Sequence, residues 1–214
     1  RFPDRPPDCA RAANLLGLSQ TVRQVKADLG IAWDGDGDRV AFVAEDGRAV
    51  TADRISALLV KRLLQDHGGN ERIVYDIKLS DVLRRTIQEL GSTAIMERSG
   101  HTFIKRRMIE QDCLLGCEAS GHYFFRDLHG GDDGLFAALF MTAVVARHGE
   151  LRRLAAALPR MFVSRELRLL ESRLAYDEIV RRRVVTLPGT PVCAAQLFVL
   201  GPAVEGRHGE VKHH

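Results

Sequence analysis

The sequence lacks the features that mark membrane, secreted and nucleic-acid-binding proteins. No apolar run approaches the roughly 20 residues that a membrane-spanning helix needs, and no positively charged leader followed by an apolar stretch is recognisable. The four cysteines form no CxxC pair and lack the spacing of a disulfide framework. A formal net charge of +3 provides neither a basic nucleic-acid-binding stripe nor an acidic tail. These absences predict a reduced, cytoplasmic protein that contacts neither membrane nor nucleic acid.

What the sequence does contain predicts a layered α/β protein. Hydrophobic residues make up 45% and charged residues 28% of the 214 positions, which suffices for one packed domain, with or without pieces of others. Apolar residues at helical spacing alternate with short apolar runs bounded by Gly and Asp turns. The predicted helices cover residues 52–66, 80–90, 102–111 and 133–148. The predicted strands cover residues 29–33, 40–44, 72–77, 93–96, 113–118 and 122–125, and a weaker pattern predicts a strand at 162–169 and a helix at 176–183.

The sharpest motif is the run Asp34-Gly35-Asp36-Gly37-Asp38-Arg39 between two predicted strands. Its glycines permit a tight turn, so the three carboxylates can converge on one point. Three converging negative charges repel one another unless a cation lies between them, and oxygen-only ligands favour a hard divalent cation, Mg²⁺ before Ca²⁺ or Mn²⁺. The adjacent arginine could bind a phosphate through two parallel hydrogen bonds.

The composition of this run is also compatible with two other structures. A solvated acidic turn is one, although an exposed hairpin does not need carboxylates on alternate residues. A calcium-binding EF-hand loop is the other, with Glu45 at the position of the bidentate ligand. Arg39 stands where that loop requires glycine, and strands are predicted on both sides where an EF-hand has helices.

A second motif, residues 116–122, places a carboxylate, a hydroxyl and an imidazole on one tight turn through Glu118, Ser120 and His122. Such groups can exchange hydrogen bonds with vicinal sugar hydroxyls. The signal is modest by itself, because a β-turn with incidental polar residues would have the same composition.

These motifs, in this order, resemble those of the α-D-phosphohexomutases, the phosphomannomutase/phosphoglucomutase family. Residues 27–39 resemble the metal-binding loop of that family, and residues 116–122 its sugar loop, usually G-E-M-S-G-H. Two departures are Cys117 for glycine and Ala119 for methionine, and the first adds a side chain where the family has none. The run Asp76-Ile77-Lys78 resembles the family's strand end that carries an active-site lysine, and residues 99–105 its G-H-x-x-I-K segment.

The resemblance implies a hexose-phosphate mutase of mixed-sheet α/β domains that acts on a phosphorylated hexose. In such an enzyme Mg²⁺ bridges three aspartates and a phosphoserine, and the serine's phosphate is transferred to the sugar and back. Carried over to this sequence, the metal ligands are Asp34, Asp36 and Asp38, the sugar-binding residues are Glu118, Ser120 and His122, and the residues for phosphate contact or proton handling are Arg39, Lys78 and His101.

The same resemblance divides the chain into parts of three domains. Residues 1–47 correspond to the end of the second domain, residues 48–160 to the third, and residues 161–214 to a partial or degenerate start of the fourth. The sequence contains no T-A-S-H-N-P-like loop, which carries the family's phosphoserine. We therefore expect a fragment or a disrupted gene product that does not turn over by itself. A non-catalytic remnant that binds sugar phosphate or metal is the alternative.

Overall fold

Two β-sheets organise the part of the chain described by the computed structural model, which is residues 7–161. The first sheet is antiparallel with strand order β1-β2-β3, and Trp33 pairs with Val40 where the hairpin of β1 and β2 closes around residues 34–39. The elements of this region, in chain order, are a 3-10 helix (Ala12–Leu15), α1 (Leu16–Val25), β1 (Leu29–Trp33), β2 (Val40–Ala44) and β3 (Ala49–Val50).

The second sheet has the order β5-β4-β6-β7-β8 and mixes strand directions. β4 runs parallel to β5 and β6, whereas β7 is antiparallel to β6 and to β8. Its elements are α2 (Ala52–His67), β4 (Arg72–Asp76), α3 (Asp81–Glu89), β5 (Thr93–Glu97), α4 (His101–Glu110), β6 (Leu115–Cys117), β7 (Tyr123–Phe125), a 3-10 helix (Arg126–Leu128), β8 (Gly131–Asp132), α5 (Gly134–His148) and α6 (Leu151–Ala156). Carboxyl ends of parallel strands meet at one sheet edge, so the segments after β4, β5 and β6 lie together there.

The termini of the helices follow from identifiable residues. Asp133 precedes α5 and accepts a hydrogen bond from the amide of Phe136 (2.9 Å), as an N-cap carboxylate does. Gly68 ends α2 with a φ of 83°, a conformation that favours glycine. Ser80 precedes α3 as predicted, but its hydroxyl donates to Asp53 instead of accepting a hydrogen bond from the helix.

A large hydrophobic core joins the two sheets. Buried residues of β2, including Phe42, pack in the same cluster as residues of α2, β4, β6, β7 and α5. The predicted α/β class with mixed sheets is confirmed. The EF-hand interpretation is wrong, because strands β1 and β2 flank residues 34–39. Within the described part of the chain, no helix is long and apolar enough to span a membrane. The strand predicted at 162–169 and the helix predicted at 176–183 lie outside the described residues.

Candidate functional site

The loop of residues 34–39 is organised around the carboxylate of Asp34. Its Oδ1 accepts hydrogen bonds from the amides of Gly37 (3.1 Å) and Arg39 (3.2 Å), and its Oδ2 accepts one from Nε of Arg39 (2.6 Å). Burial alone would raise the pKa of Asp34, but these hydrogen bonds and the positive charge of Arg39 hold the pKa below its ordinary value. Asp34 is therefore a fixed anion at the base of the loop.

The three aspartates of this loop do converge. Carboxylate oxygens of Asp34, Asp36 and Asp38 lie within 4.8 Å of one another. Oδ1 of Asp38 is buried and has no hydrogen-bond donor among the described residues. Burial raises the pKa of Asp38, and the charge of Asp34 adds to the effect, although nearby His122 opposes it. An unsatisfied oxygen in an all-oxygen cluster is what a hard divalent cation would complete, so these residues fit such a cation.

Arg39 belongs to the same cluster. Besides its hydrogen bond to Asp34, its guanidinium lies 3.7 Å from Oδ1 of Asp38 and 3.7 Å from a carboxylate oxygen of Asp8. Burial alone would lower the pKa of Arg39, but the hydrogen bond and negative charge of Asp34 raise it above its ordinary value. The side chain remains 30% exposed, so it is not sealed off from a ligand.

The backbone joins this loop directly to the turn between β6 and β7. The amide of Val40 donates to the carbonyl of Gly121 (3.1 Å), and Arg39 pairs with His122 in an isolated antiparallel bridge. Gly121 has a φ of 96°, and a Cβ there would lie 2.7 Å from the carbonyl oxygen of Val40. Side chains at this contact would push the two loops apart, so glycine is required at position 121.

His122 links the side chains of the two loops. Its Nδ1 lies 2.8 Å from Oγ of Ser120 and 2.9 Å from Oε2 of Glu118, and its Nε2 lies 3.4 Å from Oδ2 of Asp38. Burial alone would lower the pKa of His122, but hydrogen bonding and the negative charges of Glu118 and Asp38 raise it. An imidazole between two carboxylates is stabilised in its positively charged form.

Glu118 is buried and reaches a third segment. Burial alone would raise its pKa, but the contact with His122 and hydrogen bonds from Ser120 and Gly100 lower it. Oε1 accepts a hydrogen bond from the amide of Gly100 (3.1 Å). Oε2, although close to His122, receives no well-aligned hydrogen bond within the described residues. Glu118 is thus an anion with one oxygen able to accept a further donor, such as a sugar hydroxyl.

His101 faces the same cluster from the first turn of α4. Its Nε2 lies 2.8 Å from Oδ2 of Asp132, and its ring packs edge-on against Phe124, with centroids 5.0 Å apart. The ring centroid of His101 is 5.5 Å from that of His122. Carboxylate oxygens of Asp38 and Asp132 and a ring nitrogen of His122 also lie within 4.8 Å of one another.

Comparison with known proteins identifies the family to which this chain belongs. The family model described as phosphoglucomutase/phosphomannomutase, alpha/beta/alpha domain III, matches residues 51–162, and the model of domain II matches residues 1–47. The chain belongs to the phosphoglucomutase/phosphomannomutase family. The predicted resemblance is therefore confirmed.

Individual relatives agree with this assignment. The chain is 34% identical over 193 residues to the probable phosphoglucosamine mutase of Methanopyrus kandleri, covering 83% of this chain and 42% of that protein. It is 36% identical over 147 residues to a phosphomannomutase/phosphoglucomutase of Pseudomonas putida, covering 68% of this chain and 32% of that protein. A crystal structure of a phosphoglucomutase/phosphomannomutase family protein from Burkholderia thailandensis superposes with a TM-score of 0.70 at 34% identity, over 74% of this chain and 35% of that one. The chain thus spans less than half the length of these relatives.

One departure from the family's sugar-loop pattern is accommodated by the fold. Cys117, which replaces glycine, lies at the end of β6 and pairs with Tyr123 of β7 and Tyr75 of β4. Its φ is not positive, so this position does not demand glycine. Burial raises the pKa of the thiol to about 12, which keeps it neutral and unreactive.

Lys78 and the aspartates 76 and 132 complete the description of the site. Lys78 follows β4 and is exposed, and its ammonium group has no partner among residues 7–161. Asp132 contacts His101. Asp76 accepts hydrogen bonds from Ser99, two residues before His101, and from Ala119, directly after Glu118. Sequence reasoning did not select either aspartate for the site. The only local signal for them is their place in the runs GGDDG and DIK.

Proposed function

We propose that this chain provides the metal-binding and sugar-binding part of a hexose-phosphate mutase. Such an enzyme transfers a phosphoryl group between two positions of a mannose or glucose phosphate. The observation that carries the proposal is the contact of His122 with both Glu118 and Asp38. This contact joins the turn that resembles the family's sugar loop to the loop that resembles its metal-binding loop. The names of the relatives, phosphoglucosamine mutase and phosphomannomutase/phosphoglucomutase, support the same chemistry.

Asp34, Asp36 and Asp38 are the proposed ligands of a Mg²⁺ ion. When bound there, the ion would polarise a phosphoryl oxygen and offset negative charge that develops during transfer. Arg39 is the proposed phosphate contact, since its side chain stays 30% exposed while Asp34 fixes its Nε.

The sugar would bind to the turn between β6 and β7. Glu118 would accept hydrogen bonds from sugar hydroxyls, and Ser120 and His122 would complete the same surface. His101, held by Asp132, and the exposed Lys78 are the proposed groups for proton transfer or phosphate contact.

The 214 residues contain no candidate phosphoserine loop, so the phosphoryl donor must come from outside them. We therefore propose that this chain alone binds hexose phosphate without turning it over. We also propose that residues 1–47, 48–160 and 161–214 are pieces of three successive domains. A cytoplasmic location is also proposed, in agreement with the free thiols of Cys9, Cys113 and Cys117.

Calorimetric titration of the 214-residue chain with glucose 1,6-bisphosphate, in Mg²⁺-containing buffer, tests this proposal. We expect saturable binding to the parent chain and at least about tenfold weaker binding to Glu118→Gln, which replaces a charged hydrogen-bond acceptor. Glu110→Gln is the matched control, because Glu110 lies on the exposed side of α4. Unchanged binding by the Glu118 variant would contradict the sugar assignment, and clear mutase turnover by the chain alone would contradict the need for an outside donor.

A further inference from the structure

Asp76 is a buried carboxylate at the carboxyl end of β4, the middle one of the three parallel strands in the five-stranded sheet. It ends β4, which lies between β5 and β6, and it is only 1% exposed. An ionised carboxylate in the interior is costly unless hydrogen bonds or a counter-ion compensate it. Within residues 7–161 no cationic side chain forms an ion pair with Asp76, so hydrogen-bond donors alone stabilise it.

Those donors come from three different segments. Oδ1 accepts hydrogen bonds from the amide of Lys78 (2.9 Å) and from the hydroxyl of Ser99 (2.5 Å). Oδ2 accepts one from the amide of Ala119 (3.2 Å). One carboxylate therefore fastens the turn after β4, the loop between β5 and α4, and the loop between β6 and β7.

Each fastened segment carries a residue of the candidate site. Lys78 is itself a candidate, Ser99 stands two positions before His101, and Ala119 lies between Glu118 and Ser120. A direct hydrogen bond from the amide of Gly100 to Glu118 joins two of the segments again. The relative positions of these groups thus depend on the position of one carboxylate.

We infer that Asp76 is a positioning residue that sets the distance between the sugar loop and the segments of His101 and Lys78. The inference rests on the proposed function, because it assigns to Asp76 the arrangement of the proposed sugar-phosphate site. Asp76 touches no proposed ligand itself and acts through the residues it holds.

Only a carboxylate fits the observed donors. Both of its oxygens accept hydrogen bonds, whereas the amide of asparagine would present a donor group on one side. In Asp76→Asn, either the Ala119 amide or the Lys78 and Ser99 pair would face that donor, and at least one segment would be released. Ser99→Ala removes one tie and leaves the other two.

The experiment compares these two variants with matched controls in the full 214-residue chain. Asp81→Asn removes another well-hydrogen-bonded aspartate, whose hydrogen bonds within residues 7–161 come from Arg84 and Arg85 on α3. Ser92→Ala removes the serine at the opposite end of β5, which accepts a hydrogen bond from the amide of Glu71. For each protein, calorimetry gives the affinities for glucose 1,6-bisphosphate and for Mg²⁺, and hydrogen–deuterium exchange reports on residues 98–101 and 118–122.

We expect Asp76→Asn to weaken glucose 1,6-bisphosphate binding about tenfold or more, with a smaller loss for Ser99→Ala and an unchanged Mg²⁺ affinity. Exchange should accelerate in residues 98–101 and 118–122 of these variants only. The inference is overturned if Asp76→Asn binds the sugar phosphate as the parent does, or if Asp81→Asn weakens binding equally. If the parent chain binds no sugar phosphate, the proposed function fails, and the exchange rates alone decide whether Asp76 holds the segments.

Discussion

At the scale of single residues, carboxylates with different partners hold the described unit together. Asp76 is satisfied by neutral donors, whereas Glu71, just before β4, accepts two hydrogen bonds of 2.9 Å from the guanidinium of Arg126, just after β7. That parallel pair is strong and directional, and only 19% of the Glu71 side chain is exposed. The hydrogen bonds from Arg126 lower the pKa of Glu71. Because this folded-state pKa lies below the unfolded-state value, the pair makes stability depend on pH.

The first prediction concerns that dependence. The contribution of Glu71 is fully present above the unfolded-state pKa of about 4.3 and is lost as the pH falls through the folded-state pKa. Glu71→Gln should therefore lower the free energy of unfolding at pH 7 by about 1–2 kcal/mol, and the deficit should shrink as the pH is lowered below about 4. Urea denaturation of parent and variant at pH 7 and at a pH below about 4 measures the difference in the free energy of unfolding.

The control for this prediction uses the same arginine. Asp112 lies 3.9 Å from the guanidinium of Arg126, but its side chain is 77% exposed. Asp112→Asn should cost less than about 0.5 kcal/mol, because solvent screens an exposed pair. A deficit for Glu71→Gln that stayed the same at low pH would show that lost packing, and not charge, explains its effect.

At the scale of elements, the site depends on two hairpin loops that approach within backbone hydrogen-bonding distance. The loop between β1 and β2 contacts the turn between β6 and β7 through Val40 and Gly121, and it contacts the start of α5 through Gly37 and Gly134 (3.1 Å). A Cβ at Gly134 would lie 2.6 Å from the carbonyl oxygen of Gly37. Close approach at Gly121 therefore brings the loop of residues 34–39 to the turn between β6 and β7, and close approach at Gly134 brings it to the start of α5.

Gly121→Ala tests this approach. Alanine is strained at a φ of 96°, and its Cβ would also collide with the carbonyl of Val40. Gly68→Ala is the matched control, since Gly68 has a φ of 83° but no atom within 4 Å of the added Cβ. We expect the control to lose about 1 kcal/mol of stability and Gly121→Ala to lose about 2–3 kcal/mol, as judged by urea denaturation. Only Gly121→Ala should also weaken glucose 1,6-bisphosphate binding. Equal losses in the two variants would mean that backbone strain, and not the loop contact, is what matters.

The two loops could be predicted from the sequence because each one is a local motif. The run of alternating aspartates and the residues Glu118, Ser120 and His122 carry their pattern within a few positions, and the flanking strands have clear apolar runs. Asp76 and Asp132 could not be selected in this way, because their contacts arise only from the strand order β5-β4-β6-β7-β8. Three elements are too short to show a hydrophobic period in the sequence. They are the two-residue strands β3 and β8 and the six-residue helix α6.

At the scale of the whole described unit, the candidate site lies where the two sheets share one core. Val40 and Phe42 of the first sheet pack in the same cluster as Tyr75 and Phe125 of the second. The aspartate loop is tied to both sheets. Strands β1 and β2 flank it, Gly134 donates a hydrogen bond to Gly37 within it, and Gly121 of the β6–β7 turn accepts one from Val40, directly after it. A cation bound by this loop should therefore stabilise the unit as a whole and not the loop alone.

Thermal unfolding with and without Mg²⁺ tests this coupling. A ligand at 100 times its Kd stabilises the folded state by about 2.7 kcal/mol, which corresponds to an increase in Tm of about 5–10 °C for a unit of this size. Asp38→Asn should abolish that increase. In the absence of Mg²⁺ the same variant should be at least as stable as the parent, because burial and the charge of Asp34 raise the pKa of Asp38 and so disfavour its charged form.

Asp38→Asn should thus be less stable than the parent in Mg²⁺ but not in its absence. This difference distinguishes a metal ligand from an aspartate that only stabilises the fold. Asp66→Asn is the control, since Asp66 is 47% exposed and pairs with Arg62 on α2. It should leave the Mg²⁺-dependent increase in Tm intact and change the metal-free stability by less than about 0.5 kcal/mol. If Asp38→Asn were destabilising without Mg²⁺ and still responded to the ion, Asp38 would be a structural acceptor and the ion would bind elsewhere. If Asp38→Asn lost the response to Mg²⁺ while remaining stable without the ion, Asp38 would be a ligand. The repulsion among the three aspartates would then be relieved by the substitution in the variant and by the cation in the parent.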